Sequence, residues 1–323
     1  MRKCLIALAA LLVACGPVKR PDAELLFRLS DFPELEHINN VQGCAIWDNW
    51  LFSLQNEGWC NVFDLIDCEP AGQFPLGSRG KHNHANVAFF GSERYDAEDV
   101  FPLLYVSQCL SKTVEEIGLP QTDSLSRLLF VERILTDENG RPWGSELVQI
   151  IHYEPAEWNS RLWIADQDHP ETVYCYGNTV GNGKPGNHIV LQKFALPSFS
   201  ADQFLVSLGP DNVLESKNFD DLLPAGARGP QNNTLQGAFL KDGILFLPVG
   251  TGSERHPSEI FYAKLDGSRY GYFDYTDQVP CEMEDFGFWD GKLICPCNSY
   301  KQGQGAVYAI PYRTLRRAMV RNK

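Results

Sequence analysis

The chain has 323 residues, 28 basic against 41 acidic side chains, and a formal net charge of −13. So acidic a surface argues against nucleic acid or an anionic lipid surface as the main partner. After the first residues no long apolar run recurs, so the remainder, about 300 residues, reads as a soluble body that one large all-β domain can absorb.

The N-terminus, MRKCLIALAALLVACG, places Arg2 and Lys3 before an apolar run from Leu5 to Val13. The run is too short for a permanent membrane helix and predicts an export signal over residues 1–14. Its end, Leu12-Val13-Ala14-Cys15-Gly16, resembles a bacterial lipobox, which implies lipidation of Cys15 and anchoring by lipid. Gly16 replaces the aspartate that marks inner-membrane retention in enterobacterial lipoproteins, so the expected destination is the outer membrane. Cleavage takes the charge from −13 to about −15. Residues 15–23 then form a lipidated linker.

The next segment, ELLFRLSDF (Glu24 to Phe32), reads as a strand with no hairpin of its own. A repeated phrase follows: a polar residue, a small residue, an apolar strand, a turn with Asp, Asn or Gly, then a second apolar strand. It occurs as VQGCAIWDNWLFSLQ (Val41 to Gln55), LQGAFLKDGILFLPVG (Leu235 to Gly250) and MEDFGFWDGKLICPCN (Met283 to Asn298). HANVAFFG (His84 to Gly91) is a looser copy, separated by a polar insertion from LLYVSQC. RLWIADQD (Arg161 to Asp168) reads as the second strand of a fifth copy. Third strands follow in CNVFDLID, RLLFVERIL, HIVLQKFAL, EIFYAKLDG and AVYAIPY, with an outer segment after the first four.

Five such copies predict a five-bladed β-propeller over residues 24–312, and the strand at Glu24 supplies the outer strand that the last blade lacks. The alternatives are six blades, if the span from Glu146 to Phe219 holds another sheet, and a β-sandwich with similar hairpins. TLRRAMVRNK belongs to a basic tail over residues 313–323, expected to be a solvated end.

Of ten cysteines, eight remain once Cys4 leaves with the signal and Cys15 is lipidated. Cys60 with Cys68, and Cys281 with Cys295 or Cys297, are the candidate disulfides of an exported protein. Zinc at Cys295-Pro296-Cys297 is disfavoured by the single-residue spacing, and buried thiols are the simpler reading.

In a propeller the first strand of each blade lines the axis, so the polar residues that open each copy should share the channel. Those are Gln42, His84, Gln236 and Glu284, with Asn86, Asp285, His82 and Gln231 within a few residues. Gly43, Ala85 and Gly237 beside them would let backbones approach near the axis. Three roles compete: a hydrogen-bonded polar plug, a site for a sugar or other polar ligand with Trp47, Trp59, Trp158 and Trp289 for stacking, and a catalytic or metal site. Trp47 and Trp289 share a repeat position, which also suits core residues. In the third role Glu284 or Asp285 serves as acid or base, or joins His84 and Asn86 around calcium. GxSxG, HExxH and phosphate-loop patterns are absent, and Ser253 near His256 makes no triad by adjacency.

Gln42-Gly43 and Gln236-Gly237, His84-Ala85-Asn86 and Glu282-Met283-Glu284-Asp285 resemble the QG, HGN and ExEG patterns of five-bladed propellers shared by teichoic-acid synthesis proteins and phage receptor-binding proteins. Exported lipoproteins with TolB-like propellers are a looser match. The first resemblance implies recognition of a cell-surface polymer through Gln42, His84, Asn86, Gln236 and Glu284. Asp285, where the pattern has glycine, joins them as a candidate ligand contact. The expectation is a lipid-anchored envelope protein that binds a glycan or a partner protein without a cofactor. The alternatives are a hydrolase or lactonase using calcium at the same cluster, and a scaffold in an envelope complex.

Overall fold

The structure, a computed structural model, describes residues 20–81, 83–108, 128–153, 160–180, 184–230, 235–299 and 305–319. The expected export signal, Cys15, His82, Trp158 and Gln231 lie outside the described residues.

An N-terminal strand, β1 (Glu24–Arg28), precedes five antiparallel blades. The first is β2 (Val41–Trp47), β3 (Trp50–Gln55), β4 (Trp59–Asp64) and β5 (Glu69–Pro75). The second is β6 (Val87–Phe90), β7 (Leu104–Ser107), β8 (Leu128–Thr136) and β9 (Pro142–Tyr153). The third begins with β10 (Ser160–Ala165), β11 (Thr172–Asn178) and β12 (Ile189–Ala195). The chain then lends β13 (Leu205–Leu208) in parallel to β9 of the second blade, and returns to close the third with β14 (Glu215–Asn218). The fourth is β15 (Phe239–Lys241), β16 (Ile244–Val249), β17 (Glu259–Lys264) and β18 (Tyr270–Asp274). The fifth has a broken inner strand, β19 (Glu282–Met283) and β20 (Gly287–Trp289), then β21 (Lys292–Asn298) and β22 (Ala306–Pro311). Strand β1 pairs with β22 and closes the ring as its outer strand.

The span from Glu146 to Phe219 therefore holds the third blade and the lent strand, and no sixth sheet. One assignment shifts inward: Arg161 to Asp168 contains the inner strand of the third blade, and β11 is its second strand. Asp166 bridges in parallel to Leu240 on the inner strand of the fourth blade, which only an axial strand can reach. Because β10 is as apolar as any second strand, composition does not separate the two.

Burial explains the closure. Five apolar clusters fill the five blade-to-blade interfaces, because residues alternate between the two faces of each strand. On β3, Leu51 faces the fifth blade while Phe52 and Leu54 face the second. Asp242-Gly243 and Asp290-Gly291, both with positive φ, make the tight hairpins that join inner to second strands.

The seven cysteines among the described residues are all free thiols, so neither expected disulfide forms. Cys60 pairs opposite Phe74 at the start of β4, whereas Cys68 sits in the turn past its far end. Cys295 and Cys297 lie with sulfurs 3.8 Å apart, and Cys281 packs in the same cluster. No described helix is long and apolar enough to cross a membrane. The described part of the basic tail is only half solvated: a short helix, α1 (Tyr312–Ala318), buries Leu315, Ala318 and the following Met319 against the fourth and fifth blades and turns its arginines outward.

Phe27 on β1 is 5% exposed, and its ring lies 4.7 Å from Phe63 and 5.5 Å from Phe32. Phe27→Ala should lower unfolding free energy by about 3–5 kcal/mol in urea titrations, whereas Leu25→Ala, on the exposed side of the same strand, should change it little.

Candidate functional site

Near the axis the inner strands touch through backbone. Gly43 N–H donates to the Ala85 carbonyl at 2.7 Å, and Gly237 N–H to the Glu284 carbonyl at 2.6 Å. A Cβ on Gly43 would stand 2.5 Å from that Ala85 oxygen. On Gly237 it would stand 2.5 Å from the Glu284 oxygen and 2.8 Å from Asp285 Oδ1. The small residue of the repeated phrase is thus required by close approach, as expected.

Asp285 is 1% exposed, in the break between β19 and β20. Its Oδ2 accepts the N–H of Cys44 on β2 at 3.0 Å and that of Ala88 on β6 at 3.4 Å, so one carboxyl joins the inner strands of three blades. Burial pushes its pKa well above the usual carboxylate range despite these backbone donors. Its role is therefore structural, a pin across the axis. Sequence reasoning expected it beside the axis, and the backbone donors that it accepts were not foreseen.

Glu284, also 1% exposed, begins the same break. Burial first, then the neighbouring carboxyls of Glu282 and Asp285, push its pKa well above the ordinary value. Neither of its oxygens has a well-formed hydrogen bond among the described residues. Glu282 is better served: it accepts from Gln236 Nε2 and, at 3.3 Å, from Asn298 Nδ2, while Gln236 also donates to the Gly250 carbonyl at 3.3 Å. Gln42 and Asn86 are 7% and 5% exposed at the matching ends of β2 and β6. Half-buried His84 bonds through Nδ1 to Asn56 Oδ1 at 2.9 Å, between the first and second blades.

The segment Lys81 to Asn86 is held by a residue that the sequence reading passed over. Asn83, fully buried, accepts the Ala85 N–H at 2.9 Å and donates to Ser78 Oγ at 2.6 Å. Ser78 and Gly77 in turn donate their N–H groups to Glu132 on β8, at 2.9 and 3.0 Å. A second omission is a set of buried amides at the ends of second strands: Gln55, Gln108, Asn178 and Asn298. Their signal was present in SLQ, VSQ, YGN and PCN, each closing its strand where the next blade's inner strand opens. Gln55 is 1% exposed, and neither its amide nitrogen nor its oxygen has a hydrogen-bond partner among the described residues.

The far half of the channel is lined mostly by apolar side chains, with Gln167 among them. A cavity of about 140 Å³ there is lined by side chains such as Ile46, Trp47, Phe90 and Phe288. Trp47 and Trp289 pack against core clusters, and Trp59 is stacked between the His37 ring at 3.6 Å and the Arg79 guanidinium at 4.5 Å. Ser253 Oγ accepts the His256 N–H at 3.1 Å within a surface turn, which is loop geometry. Among the described residues no group of three His, Cys, Asp or Glu side chains could hold a metal ion.

No protein-family profile and no curated protein matches the sequence. Among solved structures, the tail fibre of Staphylococcus aureus phage P68 is similar with a TM-score of 0.53 at 12% identity, over 94% of this chain and 57% of that one. Chaetomium thermophilum Raptor gives 0.41 at 9% identity over 91% and 29%, and the Myceliophteria thermophila Cps50 (Swd1) β-propeller domain 0.38 at 8% over 85% of each chain. This chain thus spans little more than half of the tail fibre, and what it shares with that fibre is the fold. The class is a five-bladed β-propeller.

A carboxyl whose folded pKa is raised stabilises fully below its unfolded value, about 4.3 for Glu, and that contribution is lost as pH rises through the folded pKa. Removing Glu284's charge should flatten this decline. Glu284→Gln should gain denaturant midpoint relative to the parent as pH is raised from about 5 to about 8, with parallel profiles as the contradicting result.

Proposed function

We propose that this chain is an exported, lipid-anchored envelope protein that binds a polar, hydroxyl-rich ligand, a glycan or cell-surface polymer, at the polar end of its channel. The observation that carries the reading is the Gln55 amide there, buried without a hydrogen-bond partner among the described residues, together with the buried Glu284 carboxyl, which meets Glu282 and Asn298 but has neither oxygen in a well-formed hydrogen bond. A buried polar group left unsatisfied costs about 1–3 kcal/mol, so such a group calls for water or ligand against it. Amides and carboxyls together offer donors and acceptors, which suits hydroxyls. The leader and lipobox support the location, and a phage tail fibre with the same fold supports a binding role.

The test is retention of purified envelope polysaccharides by the signal-free domain. Gln42→Ala and Gln55→Ala should each weaken retention roughly tenfold with thermal stability nearly unchanged. Retention equal to the parent in both variants would turn the account towards a scaffold.

A hydrolase is favoured by one observation, the Glu284 carboxyl beside Glu282, its pKa pushed up by burial and by that neighbour. Under that reading the parent shortens the retained polymer, and Glu284→Gln binds it without cleavage.

A further inference from the structure

The C-terminal helix carries a second feature, independent of the channel. Helix α1 seats Tyr312, Leu315 and Ala318 on the fourth and fifth blades, which fixes the direction of Arg313, Arg316 and Arg317 into solvent. Arg269, from the turn between β17 and β18, comes to the same place and donates through Nη1 to the Arg316 carbonyl at 3.1 Å. That bond answers one of the helix's terminal carbonyls and offsets the partial negative charge of the helix end.

Together these arginines, Tyr312 and Met319 line an open groove of about 440 Å³. Four guanidinium groups and no carboxylate form its wall, in a chain whose net charge is −13. Arg316 has an acidic partner, Asp242, at 2.5 Å, and Asp242 also accepts from the Tyr312 hydroxyl at 2.8 Å. Arg269, Arg313 and Arg317 make no ion pair among the described residues. Burial and the Asp242 carboxylate push the Tyr312 phenol up, so it remains a donor and adds no negative charge.

We propose that this groove binds a phosphate-bearing anion. Three uncompensated guanidinium groups on one concave surface call for a compact ligand with more than one negative charge. Their planar forks match the oxygens of phosphate, whose monoesters carry about −1.5 to −2 at neutral pH. The groove falls within the range of small-ligand sites, about 300–1,000 Å³. The overall acidity of the chain does not forbid this, because at physiological salt charges more than about 8 Å away are largely screened. The phosphate comes either from a soluble or polymer-borne group or from a lipid headgroup, and the two are separable by experiment.

The signal-free chain is titrated with inorganic phosphate by calorimetry and, separately, sedimented with vesicles of phosphatidylglycerol or of phosphatidylcholine. Phosphate should bind, more weakly as sodium chloride is raised, and the Arg313→Ala/Arg317→Ala double variant should lose roughly tenfold or more in affinity at unchanged melting temperature. Arg313→Lys/Arg317→Lys should restore part of the loss. Cosedimentation with phosphatidylglycerol vesicles alone, abolished by the alanine pair, assigns the headgroup as the source; phosphate binding without cosedimentation assigns a soluble or polymer-borne group. Neither phosphate nor phosphatidylglycerol binding at low salt, or binding unaltered by the alanine pair, would overturn the proposal.

Discussion

The Asp285 carboxyl is where the ring is tied together. It leaves the broken inner strand of the fifth blade, crosses to Cys44 on the first and Ala88 on the second, and occupies the space that a side chain on Gly237 of the fourth would fill. Four of the five inner strands are therefore positioned against one carboxyl. Its removal would leave two buried N–H groups without an acceptor, about 1–3 kcal/mol for each. The break between β19 and β20 follows from the same need, since a continuous inner strand would keep its carbonyls and amides in the ladder and its side chains in strict alternation.

With the axis tied at that level, the channel divides. Towards the openings of the inner strands stand amides and carboxyls, and towards their far ends stand Trp47, Phe90 and Phe288. The polar end is rigid by construction: the Glu132 to Ser78 to Asn83 chain holds the entry to the second blade, and Gln236, Glu282 and Asn298 hold the fourth against the fifth. Glu284 and Gln55 are presented by this frame without being consumed by it. Preorganised groups of this kind bind with less entropy lost on ordering, which is the physical content of the binding account.

Much of this was legible in the chain. The phrase beginning at Val41, Leu235 and Met283 marks three blades through its polar opening residue and its Asp-Asn or Asp-Gly turn, and the orphan strand at Glu24 anticipates the closure. Periodicity could not distinguish β10 from a second strand, because both are apolar and flanked by turns. The disulfide expectation failed because spacing along the chain ignores that Cys60 lies at the start of β4 and Cys68 past its far end. Asp285 was legible as an axial residue but not as a pin, because its partners are backbone N–H groups more than 190 residues away. The same holds for Glu132 and Asn83, whose partners lie in loops. The groove at α1 was hidden because Arg269 joins the tail only through the fold.

The central claim is that the Asp285 carboxyl ties the blades together, and residue-resolved amide hydrogen exchange tests it most directly. Asp285→Asn keeps an acceptor oxygen, whereas Asp285→Ala removes it. The account predicts parental protection at Cys44 and Ala88 in the asparagine variant. In the alanine variant, protection should fall at both, with spread along β2, β6 and β20. Equal protection in the parent and the alanine variant, or loss in the asparagine variant as large as in the alanine one, would contradict it.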